Sequence, residues 1–230
     1  MLVVSDIGLT TDLQTIKPAD FLESSIKGFT INLTRDYRYL KTGYYVSVHA
    51  EILGNRVIPS SEDIIDANRT PILLLKASRA GIPTLPYLVT SSVKQIISEF
   101  NFPVAVFAVN PFMHSGFKIA KNRSALYRVV KSLSMNYKFA VCVQPVRGEM
   151  MSVKSIFGKS GSGLKIERIS EKVYEVFRIP ICALHVQLVE DKVCLCGLQT
   201  LSAEELLPTD LALISTEIAR ESSKGEHLVG

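Results

Sequence analysis

"INLTRDYRYLKTGYYVSVHAEILGNRVIPS", residues 31–60, decides how the chain is read. It continues "FTINL" (29–33), a run whose β-branched residues favour a strand. A charged loop follows, with Arg35, Arg38 and Lys41 beside Tyr37 and Tyr39. From Gly43, Tyr45, Val48 and Ile52 recur at three and four, the helical repeat. Gly54 is a helix stop, and "RVIPS" (56–60) reads as a short strand closed by Pro59. Residues 28–60 therefore form a βαβ unit with the basic loop at the helix N-terminus. Two readings of that loop stand side by side. Backbone N–H groups at a helix start, bidentate arginines and a glycine allowing close approach would suit phosphate or carboxylate. A solvated connection with tyrosine rings on the domain edge needs no ligand, and the residue types alone favour it.

Around this unit, 230 residues suit one large domain or two small ones. The chain is 47% hydrophobic, enough for a sizeable core, and 21% charged, which leaves no segment disordered by composition. A net charge of +4 permits an anionic ligand without demanding nucleic acid. No aromatic RNA-binding motif is present, so a nucleic-acid partner is not expected. Cys142, Cys182, Cys194 and Cys196 form no CxxC pair and read as buried reduced thiols, which implies a cytoplasmic protein. The N-terminus carries Asp6 and no basic leader region. No apolar run approaches the ~18 residues needed to span a bilayer, so no membrane partner is expected.

The rest of the chain alternates strands and helices. "LVVSD" (2–6) is a strand ending at an acidic loop, and "PADFLESSI" suits a short helix or an extended piece. "SEDIIDAN" is a helical turn. "RTPILLLKASRAGIP" is a helix with Thr70 as N-cap, Pro71 first and Gly81 at its stop. "PYLVT", "FPVAVFAV" (102–109) and "KFAVCVQPV" are strands; the helices between them are "SSVKQIISEF", capped by Ser91 or Ser92, and "NRSALYRVVKSL", with Leu126, Val129, Val130 and Leu133 inward. The alternation over 28–145 predicts an α/β fold with a parallel-leaning mixed sheet and flanking helices. "GKSGSG" (158–163) is the best linker or lid. "SEKVYEVF" (170–177) is a helix capped by Ser170, "CALHVQLVEDKVCLCGLQT" a hairpin turning at Glu190-Asp191-Lys192, and "LPTDLALISTEIARESS" a closing helix with Leu211, Ile214 and Ile218 inward. These last elements form a C-terminal α+β hairpin-helix portion.

Catalytic signatures are sparse. "GKSGSG" is not a P-loop, because Val153 stands where that motif needs a glycine. His49, His114, His185 and His227 share no metal-ligand spacing and read as structural. No G-x-S-x-G elbow occurs, and the late carboxylates Glu149, Glu167, Glu171, Glu190 and Asp191 make no two-metal pattern.

The opening stretch resembles, nearly position for position, the domain N-terminal to the catalytic region in RimK-type ATP-grasp ligases. The likeness rests on Asn32-Leu33, Arg35, Tyr37-Arg38-Tyr39, Gly43-Tyr44-Tyr45-Val46-Ser47, Ala50-Glu51, Gly54 and Val57-Ile58-Pro59. Residues 1–66 resemble that domain throughout. "SIFGKS", "VYEVFRIPI" and "LQTLSAEELLPTD" resemble its closing half more loosely. "LLLKASRAGIPTLPYLVT…FPVAVFAV…VCVQPVRGE" is similar to the ATP-grasp nucleotide lobe, which divides the chain into 1–66, 67–150 and 151–230.

The resemblance implies kinship with ATP-dependent carboxylate–amine ligases, which activate a carboxylate as an acyl phosphate and attack it with an amine. The departures fall at the chemistry. The expected phosphate-contacting lysine falls on Phe107, the glycine-rich loop "NPFMHSG" keeps only Gly116, and Pro145 replaces an acidic residue. With the chain ending at Gly230, the resemblance leaves no place for the metal-binding lobe. The expectation is a stand-alone, non-catalytic relative, a pseudoenzyme. It would bind an anionic small molecule, a peptide or amino acid, or a partner ATP-grasp chain through Arg35, Tyr37, Arg38, Tyr39, Gly43 and Tyr44. ATP and Mg²⁺ enter only under the alternative: a divergent or split ligase of the RimK/glutathione-synthase type.

Overall fold

A computed structural model describes residues 1–9, 13–109, 116–201 and 203–226. Its first layer is a four-stranded parallel sheet in the order β2-β1-β3-β4, formed by β1 (Leu2–Ser5), β2 (Gln14–Ile16), β3 (Thr30–Leu33) and β4 (Val57–Ile58). Strand periodicity sorts its side chains. Leu2 and Val4 meet Phe21 of α1 (Pro18–Leu22) and Val46 and Ala50 of α2 (Thr42–Ile52). Val3, Ile31 and Leu33 meet the other side, where Ile214 and Ile218 of α8 (Pro208–Glu226) close the core. The βαβ unit over 28–60 is present. The residues that signalled its helix are not its buried face: Tyr45 and Ile52 are exposed, and Gly43, Val46, Ser47 and Ala50 face inward. Small residues let α2 lie close on the sheet, so its hydrophobic repeat is weak.

Two helices, α3 (Ser61–Asn68) and α4 (Thr70–Arg79), lead to the second sheet. A capping box between Ser60 and Asp63 starts α3. Arg69 rather than Thr70 occupies the N-cap of α4. The second sheet has the order β5-β8-β6-β7 and contains β5 (Leu88–Thr90), β6 (Val104–Ala108), β7 (Phe117–Ala120) and β8 (Val141–Pro145). Every neighbouring pair in it is antiparallel, so the parallel pairing expected over 28–145 is confined to the first sheet. The reason is a skipped neighbour. α5 (Val93–Glu99) joins β5 to β6 and α6 (Arg123–Leu133) joins β7 to β8. Each helix links two strands of the same direction, and one antiparallel strand lies between them. Ser92 and Asn122 cap these helices by accepting from Gln95 N and Ala125 N.

The third sheet is antiparallel, β11-β10-β9, from β9 (Glu149–Ile156), β10 (Ile181–Val189) and β11 (Lys192–Gln199). α7 (Leu164–Phe177) connects β9 to β10. It begins six residues before the expected Ser170. That serine is fully buried mid-helix, with its hydroxyl donating to Ser155 Oγ at 2.7 Å. "GKSGSG" is a pinned turn: Ser160 N, Ser160 Oγ and Gly161 N all donate to Glu167 Oε2, at 2.8, 2.7 and 3.0 Å. The four cysteines are free and buried. Burial pushes the Cys142, Cys182 and Cys196 thiols up to about 12. No described helix is long and apolar enough to cross a membrane.

Candidate functional site

The strands of the first sheet end together at a crevice. Ser5 and Asp6 leave β1, Thr34 leaves β3 and Lys17 follows β2, which is where open α/β sheets hold ligands. A cavity of about 800 Å³ opens there, lined by these residues with Asp36 and Thr42. A second, of about 370 Å³, shares Asp6, Thr34 and Asp36 and adds Arg35, Arg38 and Glu205. Thr200 and Leu201, just past β11, complete its wall.

Asn32 builds this loop. Its Nδ2 donates to Gly43 O at 2.7 Å and to Ser47 Oγ at 2.8 Å, while its Oδ1 accepts from Thr34 N and Oγ1 at 3.1 and 2.6 Å. Ser47 Oγ passes the connection to Pro59 O at 2.7 Å. Gly43 N donates to Asp36 O at 3.2 Å, and a Cβ on Gly43 would stand 2.6 Å from that oxygen. Arg35 at φ 59° and Leu40 at φ 62° bend the loop in the left-handed region, which is costly for side-chain-bearing residues.

The six predicted site residues separate here. Arg35 and Arg38 line the smaller cavity; Tyr37, Tyr39, Gly43 and Tyr44 line neither. Tyr37 is a core residue, with its hydroxyl donating to Asn32 O at 2.7 Å and its pKa raised well above the ordinary value by burial. It is not available to a ligand. Gly43 serves the close approach of loop and helix. Tyr39 packs on Tyr44, and Tyr44 on Tyr45, with ring centroids 5.2 and 5.8 Å apart.

Both arginines are already paired with carboxylates. Arg35 Nε and Nη2 donate to Asp6 at 3.0 and 2.9 Å, and Arg38 Nε and Nη2 donate to Asp36 at 2.7 and 2.6 Å. Burial pushes the Asp36 carboxyl up, but the bonds and charge of Arg38 outweigh it and leave its pKa below the usual range. Two of the five N–H donors on each guanidinium meet these carboxylates. With these two closed pairs, and with Lys17 lining the larger cavity and Glu205 the smaller, the crevice is a balanced rather than a positive site. Sequence reading missed the acidic half. Asp6 was visible only as an acidic strand end, and Thr200 and Glu205 approach from the far end of the chain.

The expected nucleotide lobe has a different interior. Phe107 of β6 is buried between the second and third sheets with Cys142, Cys194 and Cys196. Its ring is 5.4 Å from that of Phe117, which packs edge-on against His185 at 4.9 Å. A Cβ on Gly197 would stand 2.8 Å from Phe107 Cε1. Gln144 Nε2 donates to Cys196 O at 2.7 Å and Gln187 Nε2 to Pro145 O at 3.1 Å, tying the two sheets together. His185 lies 3.1 Å from Gln199 Oε1 through Nε2. Its Nδ1 has no partner among the described residues, and burial, opposed by the Gln199 bond, lowers its pKa. No group of three or more His, Cys, Asp or Glu residues able to hold a metal occurs among the described residues. His114 and most of "NPFMHSG", like His227, lie outside them.

A parallel α/β unit followed by two stacked antiparallel sheets defines an α/β protein similar in fold to ATP-grasp ligases. A RimK domain protein ATP-grasp from Sphaerobacter thermophilus superposes with TM-score 0.66 at 14% identity, covering 94% of this chain and 98% of that one. The D-alanine–D-alanine ligase from Bacillus anthracis superposes with TM-score 0.66 at 13% identity over 98% of each chain. The ATP-grasp ligase PsnB, solved with a minimal precursor, Mg and ADP, superposes with TM-score 0.56 at 13% identity over 76% of this chain and 66% of that one. No curated protein matches by sequence. The chain belongs to the RimK-like ATPgrasp N-terminal domain family, which matches residues 20–216. The first two likenesses span nearly the whole of their relatives.

Proposed function

We propose that this chain is a non-catalytic member of its family, holding a small molecule or peptide terminus in the crevice at the end of the first sheet. One observation carries the non-catalytic reading. Phe107, where the family resemblance expects a phosphate-contacting lysine, is buried against Gly197. A phenyl ring neutralises no phosphate charge, and phosphoryl transfer depends on such neutralisation. The crevice is charge-balanced, so its ligand carries a cation as well as a carboxylate, as an amino acid or a free peptide end does. The carboxylate meets the guanidinium groups of Arg35 and Arg38, and the ammonium meets the Asp6, Asp36 and Glu205 side. A partner ATP-grasp chain would receive this ligand.

The full-length likeness to two ATP-grasp proteins favours one second reading, a divergent or split ligase. Thermal unfolding with and without Mg-ATP separates the two. An unchanged melting temperature with Mg-ATP, together with a rise on adding free amino acids or dipeptides, supports the proposal. A Mg-ATP-dependent rise overturns it.

A further inference from the structure

We propose that the outer face of the second sheet's helical layer docks on an anionic membrane surface. The observation begins with charge placement. Residues 100–148 contain seven lysines and arginines and no aspartate or glutamate, while the remainder of the chain is net acidic. The modest total charge hides this asymmetry.

The fold gathers six of these cations on and around α6. One face of that helix, Leu126, Val130 and Leu133, is buried on the sheet. Its other face presents Arg123, Arg128 and Lys131 to solvent. Lys121 precedes the helix, Lys138 follows it, and Lys118 of β7 reaches across to Ser132 Oγ at 3.1 Å. None of the six forms an ion pair among the described residues.

Large apolar side chains stand among them. Tyr127, Met135, Tyr137 and Phe139 are each about two-fifths exposed. Met135, Asn136 and Tyr137 all lie at positive φ, holding the turn after α6 in one shape, and Tyr137 N donates to Ser134 Oγ at 2.7 Å. Tyr137 Oη reaches Tyr127 O at 3.4 Å.

Unpaired cations around exposed aromatic and thioether side chains match an anionic headgroup layer. The cations meet lipid phosphates, and the apolar groups lose water at the interface. The same cations would meet nucleic acid, but single-strand binders use a groove lined with stacking rings. Here the cations ring a helix surface, and Met135 offers a base no ring.

Cosedimentation of the full chain with vesicles tests the proposal. Vesicles of phosphatidylcholine with three-tenths phosphatidylserine are compared with pure phosphatidylcholine at 0.1 M salt. The expected result is at least about tenfold stronger partition to the anionic vesicles, lost at 0.5 M salt. Arg128→Glu with Lys131→Glu lowers it about tenfold or more, and Tyr137→Ser with Phe139→Ser lowers it at constant charge. Equal partition to both vesicles, or insensitivity to salt, overturns the proposal and needs no variant. Binding to single-stranded RNA with none to anionic vesicles at the same salt also overturns it.

Discussion

Phe107 and Gly197 share one space: a methyl group on the glycine would stand 2.8 Å from the phenyl Cε1. Gly197→Ala therefore costs about 1–3 kcal/mol of stability through overpacking. In a Phe107→Leu background, where the ring is gone, the same substitution costs measurably less. Urea unfolding of the four proteins in this cycle checks the coupling. Additive losses would mean that the ring does not fill that space.

Asn32 holds the crevice loop from inside. Asn32→Leu strands Gly43 O and Thr34 N without their partner and costs about 2–3 kcal/mol. The unfolding midpoint should fall while the slope stays constant. A loss below about 0.5 kcal/mol, the usual range for unremarkable surface changes, would show that the network is dispensable.

The crevice arginines answer a different measurement. Their carboxylate partners are about two-fifths exposed, so each pair contributes no more than about 1 kcal/mol. Arg35→Ala with Arg38→Ala should leave the melting temperature within a few degrees and abolish the thermal response to free amino acids or dipeptides. A large drop in melting temperature would make the arginines structural. A retained response would move the site elsewhere.

His185 makes stability pH-dependent. Burial lowers its folded pKa below the usual imidazole value of 6.5. The unfolded chain thus binds a proton that the folded chain refuses. Its contribution is complete above pH 6.5 and is lost as pH falls below that value towards the folded pKa. His185→Gln should flatten the fall in urea midpoint between pH 7 and pH 5. An unchanged slope would mean that the imidazole takes up its proton equally in the folded and unfolded states.

Much of the fold was legible from local pattern. The strand–loop–helix–strand over 28–60, the cap at Ser92, the α6 face and the Glu190-Asp191 turn all depend on residues near one another in sequence. The misreadings share a cause. Ser170 resembles a cap, but its hydroxyl is satisfied by Ser155 from another strand. Tyr45 and Ile52 repeat at helical spacing, yet α2 packs through Val46 and the small residues Gly43, Ser47 and Ala50, which carry little hydrophobic signal.

The site divides the same way. By itself the sequence determined the family stretch, the basic loop and the reduced cysteines, because each is a matter of residue types at short spacing. Only the tertiary structure decided that Asp6 and Asp36 pair with the two arginines, that Tyr37 is core, and that Phe107 meets Gly197. These are contacts among side chains that need not be neighbours in the chain, and their geometry depends on how the sheets and helices pack. The balance of charge in the crevice and the crowding between the sheets exist only once those elements have closed on one another.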